Sequence, residues 1–206
     1  MTIKELFNLD KTISKDYLNK YKYPFEVRDN INNIIIDLFS KLDNDYLMIK
    51  ENVYAHKSAA IGKNVEIIGP CIIGKNTEIR HNAYIRENVI IGDNVVIGNS
   101  CEIKNSIIFD DAQIPHFNYV GDSILGNFTH LGAGVVIANL RLDKRNVQVE
   151  NEETSLRKIG AFIGDRTEIG CNSVICPGTA IEKDSIIYPL SVVNKKYPSN
   201  IKPERL

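Results

Sequence analysis

The chain has 206 residues, with 25 Lys and Arg against 26 Asp and Glu and a formal net charge of −1. That length holds one ordinary domain with an appendage, while two full domains would be cramped. Opposite charges interleave along the chain, so no broad field exists to draw nucleic acid or an anionic membrane, and neither is expected as a partner.

In chain order, Ile3, Leu6 and Phe7 mark a first short helix. After the Tyr23-Pro24-Phe25 break, Val27, Ile31, Ile34, Ile35, Leu38 and Leu42 recur at helical spacing and predict a longer amphipathic one. Residues 1–50 therefore read as a helical N-terminal cap on the open first coil of the repeat that follows, where a strand edge and a core end would otherwise face water. The start Met1-Thr2-Ile3-Lys4-Glu5 fits no signal peptide, and the Ile34-Ile35-Ile36 run is cut by Asp37 before it could span a bilayer. A cytoplasmic location is expected. Cys71, Cys101, Cys171 and Cys176 include no CxxC pair and read as reduced thiols, not as a disulfide framework or a zinc site.

From residue 51 the chain changes character. Isoleucine recurs every six residues from Ile61 to Ile103 and again from Ile163 to Ile187, with Val193 continuing the step. Turn residues follow, as in Ile61-Gly62-Lys63-Asn64 and Ile91-Gly92-Asp93-Asn94. Four places after each isoleucine comes a small or β-branched residue (Val65, Cys71, Thr77, Ala83, Val89, Val95), a second inward position. A helix repeats at 3.6 residues and a plain strand at 2, so a strict six with a turn in each unit means a short strand and a corner, repeated. Three such units make a coil of about 18 residues, and coils stack at roughly 4.8 Å into a parallel β-helix over residues 51–197, with 198–206 as a C-terminal tail. The period slips by one residue from Ile103 to Ile108 and from Val120 to Leu125, and it breaks over 141–158. That break carries Arg141, Lys144, Arg145 and several glutamates, which predicts a polar loop projecting from the solenoid, mobile until a ligand orders it.

The segment His116-Phe117-Asn118-Tyr119-Val120-Gly121-Asp122, followed by Gly132-Ala133-Gly134 and Asn139, resembles the acetyltransferase domain of the bifunctional glucosamine-1-phosphate acetyltransferase/N-acetylglucosamine-1-phosphate uridylyltransferases over about residues 55–195. The resemblance implies a left-handed parallel β-helix, acetyl-CoA as acyl donor, an amino-sugar phosphate as acceptor and a homotrimer with sites at the subunit junctions. It implies His116 as general base held by Glu102, Arg86 and Lys104 as ligands of the sugar phosphate, and Tyr119, Asn139 and His130 in the acceptor pocket. Backbone amides around Ala133 and the cations Arg141, Lys144 and Arg145 would face the cofactor. Arg86 and Lys104 lie one coil apart, so they should stack side by side as two cations clamping one phosphate. No counterpart of the family's nucleotidyltransferase domain is found, so the chain is not expected to form the UDP-sugar bond. Two residues depart from the family pattern: His130 replaces an asparagine, and Asp165 replaces a serine that touches coenzyme A.

Two other classes fit a hexapeptide solenoid. A γ-type carbonic anhydrase would need three histidines on one zinc, but His81 and His116 fall two coils, about 10 Å, apart, whereas ligands lie about 2 Å from a shared zinc. No metal is therefore expected. A non-catalytic scaffold or regulator of a separate sugar nucleotidyltransferase is the other alternative.

Overall fold

A computed structural model describes residues 1–194 and the backbone of Lys196 and Tyr197; the expected tail over 198–206 lies outside the described residues. Three parallel sheets form the sides of a prism. The first continues from strand Val53–His56 through Cys71–Ile73, Val89–Ile91, Ser106–Ile108 and Ile124–Leu125 to Thr179–Ile181. The second runs from Ala60–Ile61 through Gln113–His116 to Ile186–Ile187, and the third from Glu66–Ile67 through Glu102–Lys104 and Tyr119–Gly121 to Val192–Val193. Each strand pairs with the one a coil away.

The two inward positions of the repeat build the interior. Ile73, Ile91, Ile103, Ile163 and Ile181 are buried and stack with Cys71, Ala83, Val95 and Cys101 in one continuous cluster. Each isoleucine contributes about 1.5–3 kcal/mol by leaving water. Where an inward residue is polar it returns its hydroxyl to the backbone, as Thr77 does to the Gly92 carbonyl at 2.7 Å. Corners are turned by asparagines in the left-handed region, among them Asn64, Asn76 and Asn94 with φ near 55°. At Gly98 the coils approach so closely that a Cβ would stand 1.4 Å from the Pro115 carbonyl oxygen.

Two N-terminal helices form where the apolar spacing predicts them, α1 over Ile3–Leu6 and α3 over Ile31–Phe39, the predicted start of the latter being a 3-10 turn at Pro24–Asn30; α2 over Lys15–Leu18 was not marked by the spacing. They do not cover the open end. Ile3, Leu6, Leu18, Ile31 and Ile35 pack on the outward side chains of the first sheet, including Ile72, Ile90, Ile107, Ile124 and Phe162. The reason is the strand sequence itself: in this sheet the outward positions are as apolar as the inward ones, so the face, not the end, offers the larger area to bury. Only strand Tyr46–Lys50 serves an edge, pairing antiparallel with Val53–His56. At the first coil Ile61 stays 39% exposed. Residues 1–45 are therefore a strap along one side of the prism.

Candidate active site

The outward row of the third sheet runs in register through Tyr84, Glu102, Tyr119, Val136 and Val174. One step further along each strand, Arg86 and Lys104 fall in one column on adjacent coils, as their spacing predicts, with Gly121 next. Their surroundings differ. Arg86 gives Nη1 to Glu102 at 3.1 Å, has Glu87 at 3.7 Å, and holds a buried Nε with no hydrogen-bond partner. The Glu102 contact raises its pKa. Lys104 has no ion pair recorded among the described residues, and it lines a cavity of about 200 Å³ with Arg28, Asn32, Glu87, Asn88 and Asp122.

That cavity lies at the corner between the third and first sheets, where Asn88, Asn105 and Asp122 all adopt positive φ. Asn105 and Asp122 are separated by 17 residues, as are Asp122 and Asn139, and the three interlock. Asn105 donates to Asp122 at 2.8 Å, Asn139 donates to the other oxygen of the same carboxylate, and Asn139 also donates to the Tyr119 hydroxyl at 3.1 Å. Arg28 of the strap reaches Asp122 at 3.3 Å. Asp122 is 1% exposed. Burial, and then the nearby Asp122 charge, push the Tyr119 phenol above its ordinary pKa.

His116 ends the second-sheet strand Gln113–His116, at the corner that leads into the third sheet. Its Nδ1 lies 3.4 Å from the Asn99 side-chain oxygen, and the imidazole is exposed. Within one chain the Glu102 carboxylate is thus engaged by Arg86, and the hydrogen bond recorded for His116 is with Asn99. The register places Asn99 between His81 and His116, so those two histidines stand two coils apart. On the next coil, the amides of Gly132 and Gly134 are spent on Ile169 and His116 carbonyls at 2.6 and 3.2 Å, so an amide facing the cofactor there reduces to that of Ala133. Gly134 turns the corner at φ 72°.

Four sequence-based expectations land elsewhere. His130 lies on the second sheet, paired with Glu168 at 2.9 Å, and is not brought to Tyr119 and Asn139 within the chain. Arg141 is held by both oxygens of Asp143 at 2.9 and 2.6 Å, next to Cys176 and Pro177 and across the third sheet from His116; Arg145 approaches the same carboxylate at 3.9 Å, while Lys144 turns the chain at φ 58°. The 141–158 loop projects only in its first half. Val147 and Val149 are buried against the strap, Gln148–Val149 pairs with Glu152–Glu153, and the Met1 amine meets Glu150. Its alternating valines make this half a docked hairpin. Asp165, expected near the cofactor, is 0% exposed and accepts the amides of Asn8 at 2.6 Å and Asn127 at 2.8 Å; it anchors the strap.

Among the described residues Asp43, Asp45 and His56 cluster with metal-ligand spacing. The Ser58 amide donates to His56 Nδ1 at 3.1 Å, the Ser58 hydroxyl lies 2.8 Å from the same nitrogen, and Nε2 faces Asp45 at 3.8 Å. Asn105 and Arg28 are site residues the sequence reading missed. The 17-residue recurrence of Asn88, Asn105, Asp122 and Asn139 was a readable signal; Arg28 left none.

The chain matches the family model of the GMPPB C-terminal domain over residues 67–159. It is 41% identical over 165 residues to a bifunctional sugar-1-phosphate nucleotidylyltransferase/acetyltransferase from Sulfurisphaera tokodaii, covering 69% of this chain and 41% of the relative. It is 33% identical over 167 residues to the bifunctional protein GlmU of Methanococcus aeolicus, covering 71% and 41%. The chain thus spans well under half the length of these relatives. Among solved structures, a perosamine N-acetyltransferase variant from Caulobacter crescentus in complex with CoA and GDP-perosamine aligns over 85% of this chain and 68% of its own, at 18% identity and a TM-score of 0.39. The acetyltransferase domain of PglB from Neisseria gonorrhoeae in complex with acetyl coenzyme A aligns over 83% and 60%, at 14% identity and a TM-score of 0.38. No helix among the described residues is long and apolar enough to cross a membrane. The chain is a hexapeptide-repeat β-helix similar in sequence to the bifunctional sugar-1-phosphate nucleotidylyltransferase/acetyltransferases.

Proposed function

We propose that this chain is a coenzyme A-dependent N-acetyltransferase acting on an amino-sugar phosphate such as glucosamine-1-phosphate. The observation that carries the reading is the convergence on one prism face of Lys104, Tyr119 and Asn139 around a polar corner, with His116 at the corner on the other side of that face. The acceptor's phosphate meets Lys104, which has no competing ion pair, and then Arg86 once it loosens from Glu102. Tyr119 and Asn139 hold sugar hydroxyls.

His116 takes a proton from the acceptor amine as the nitrogen attacks the acetyl carbonyl. The Ala133 amide faces the oxyanion, the C–S bond breaks, and the proton passes from His116 to the departing thiolate. No acyl-enzyme is required. Lys144 and Arg145 suit the cofactor's phosphates better than Arg141, whose guanidinium already has a bidentate carboxylate.

The same reading makes the enzyme a cytoplasmic homotrimer. Val136, Val174 and Val192 leave an apolar stripe on the third sheet, and His130 on the second sheet reaches an acceptor only if a neighbouring copy packs against it. Light scattering should give a trimer; a fully active monomer at micromolar concentration contradicts it. The activity is tested by free-thiol release from acetyl-CoA with a panel of amino sugars and their phosphates. Release with a phosphorylated amino sugar supports the reading. No release with any acceptor, from folded trimer, leaves the scaffold alternative.

A further inference from the structure

The buried Asp122 carboxylate needs a counter-charge, and among the described residues no ion pair to it from the β-helix is recorded, Lys104 lining the same cavity without one. Its ladder neighbours Asn105 and Asn139 are neutral, and the single ion pair recorded for it among the described residues comes from Arg28, 94 positions away in the strap. A buried carboxylate left without a cation protonates or draws in water, and either change alters what its two oxygens can accept. One oxygen takes Arg28 Nε and Asn105 Nδ2; the other takes Asn139 Nδ2, which also faces the Tyr119 hydroxyl at 3.1 Å.

We propose that Arg28 is a positioning residue for the acceptor site: through Asp122 it fixes the Asn139 carboxamide and, through that, the Tyr119 hydroxyl. This rests on the reading above that Tyr119 and Asn139 contact the acceptor. The strap is then part of the site. The Pro24–Asn30 turn delivers Arg28 to the corner, and α3 follows with Asn32, which donates to Asn88 at 2.8 Å on the same wall of the cavity.

The test uses the full chain. In Arg28→Met the Asn139 side-chain amide resonances, assigned with Asn139→Ser, should move, while Ile35→Val, a strap substitution in α3, leaves them in place. Arg28→Lys should return them part of the way, since it restores the charge without the directed Nε–H. In the thiol-release assay with glucosamine-1-phosphate, Arg28→Met should raise the acceptor KM by roughly tenfold or more, with kcat and the acetyl-CoA KM little changed. If Arg28→Met does not fold, Arg28→Lys, which keeps the charge beside Asp122 and loses the directed Nε–H, carries the same readouts. Unmoved Asn139 resonances in the folded variant overturn the coupling, and they do so without any turnover, so the transferase reading can fail separately. Moved resonances with an unchanged acceptor KM overturn the role in acceptor binding.

Discussion

Two of the three corners of this prism are alike in every coil, and the third is not. Passing from the first sheet to the second, and from the second to the third, the inward residues keep a step of six, as from Ile108 to Ile114 to Val120. At the corner between the third and first sheets the chain loses a residue twice, after Ile103 and after Val120, and then inserts the long excursion after Asn139. The strand partners stay in register on either side of each change. The coil core is therefore indifferent to what its corners do, because stacked isoleucines see only the coils above and below. The corner from the first sheet to the second carries exposed pairs such as Arg166 with Asp184 at 2.6 Å, and the carboxylate it buries, Asp165, is taken up by backbone amides of the strap and the coil. The irregular one buries Asp122 and collects Lys104, Asn105, Asn139 and Arg28.

The sharpest break of that comparison is chemical. His116→Ala should lower kcat by about 10²–10⁴-fold, the usual worth of a general base, with the acceptor KM nearly unchanged; normal turnover removes the assignment. Next is the strap. Phe162→Ala opens the buried seam between first sheet and strap and should cost about 3–5 kcal/mol in a urea melt. A loss under 1 kcal/mol, roughly that of an exposed site, would mean that the strap is not docked. Lys104→Ala should raise the KM for a phosphorylated acceptor about tenfold and leave the unphosphorylated sugar alone, and Arg86→Ala should do less, since Glu102 already occupies its guanidinium. Equal losses on both acceptors would remove the phosphate contact. The smallest effect belongs to a regular corner. Arg166 holds the Asp184 carboxyl below its ordinary pKa, so the pair contributes above the unfolded carboxylate pKa and loses its contribution as pH falls through the lower folded value. Both side chains are more than half exposed, so Arg166→Ala should cost at most about 1 kcal/mol at pH 7 and progressively less as the carboxylate protonates in acid.

The solenoid was legible because its signal is repeated: each isoleucine restates the same period, and Val193 could have been forecast from Ile163. The Arg86 and Lys104 column was legible for the same reason, as a spacing of one coil. What stayed hidden depended on contacts between distant segments. The outward apolar positions Ile72, Ile90 and Phe162 look in sequence like ordinary strand residues, and only the fold shows that they form a face large enough to pull α3 off the open end. Asp165 was read by position alone and is consumed by the strap, while Asp143, which the sequence reading did not single out, neutralises Arg141. His130 sits on a different side of the prism from Asn139, a separation that a spacing of nine residues conceals.

The central claim, that the irregular corner and the third-sheet face beside it receive the acceptor, is tested most directly by amide hydrogen exchange with and without glucosamine-1-phosphate. Slowed exchange is predicted at 102–106, 119–123 and 138–140, with the corner at 164–167 unchanged. Protection confined to the regular corners, or none at saturating ligand, contradicts the account.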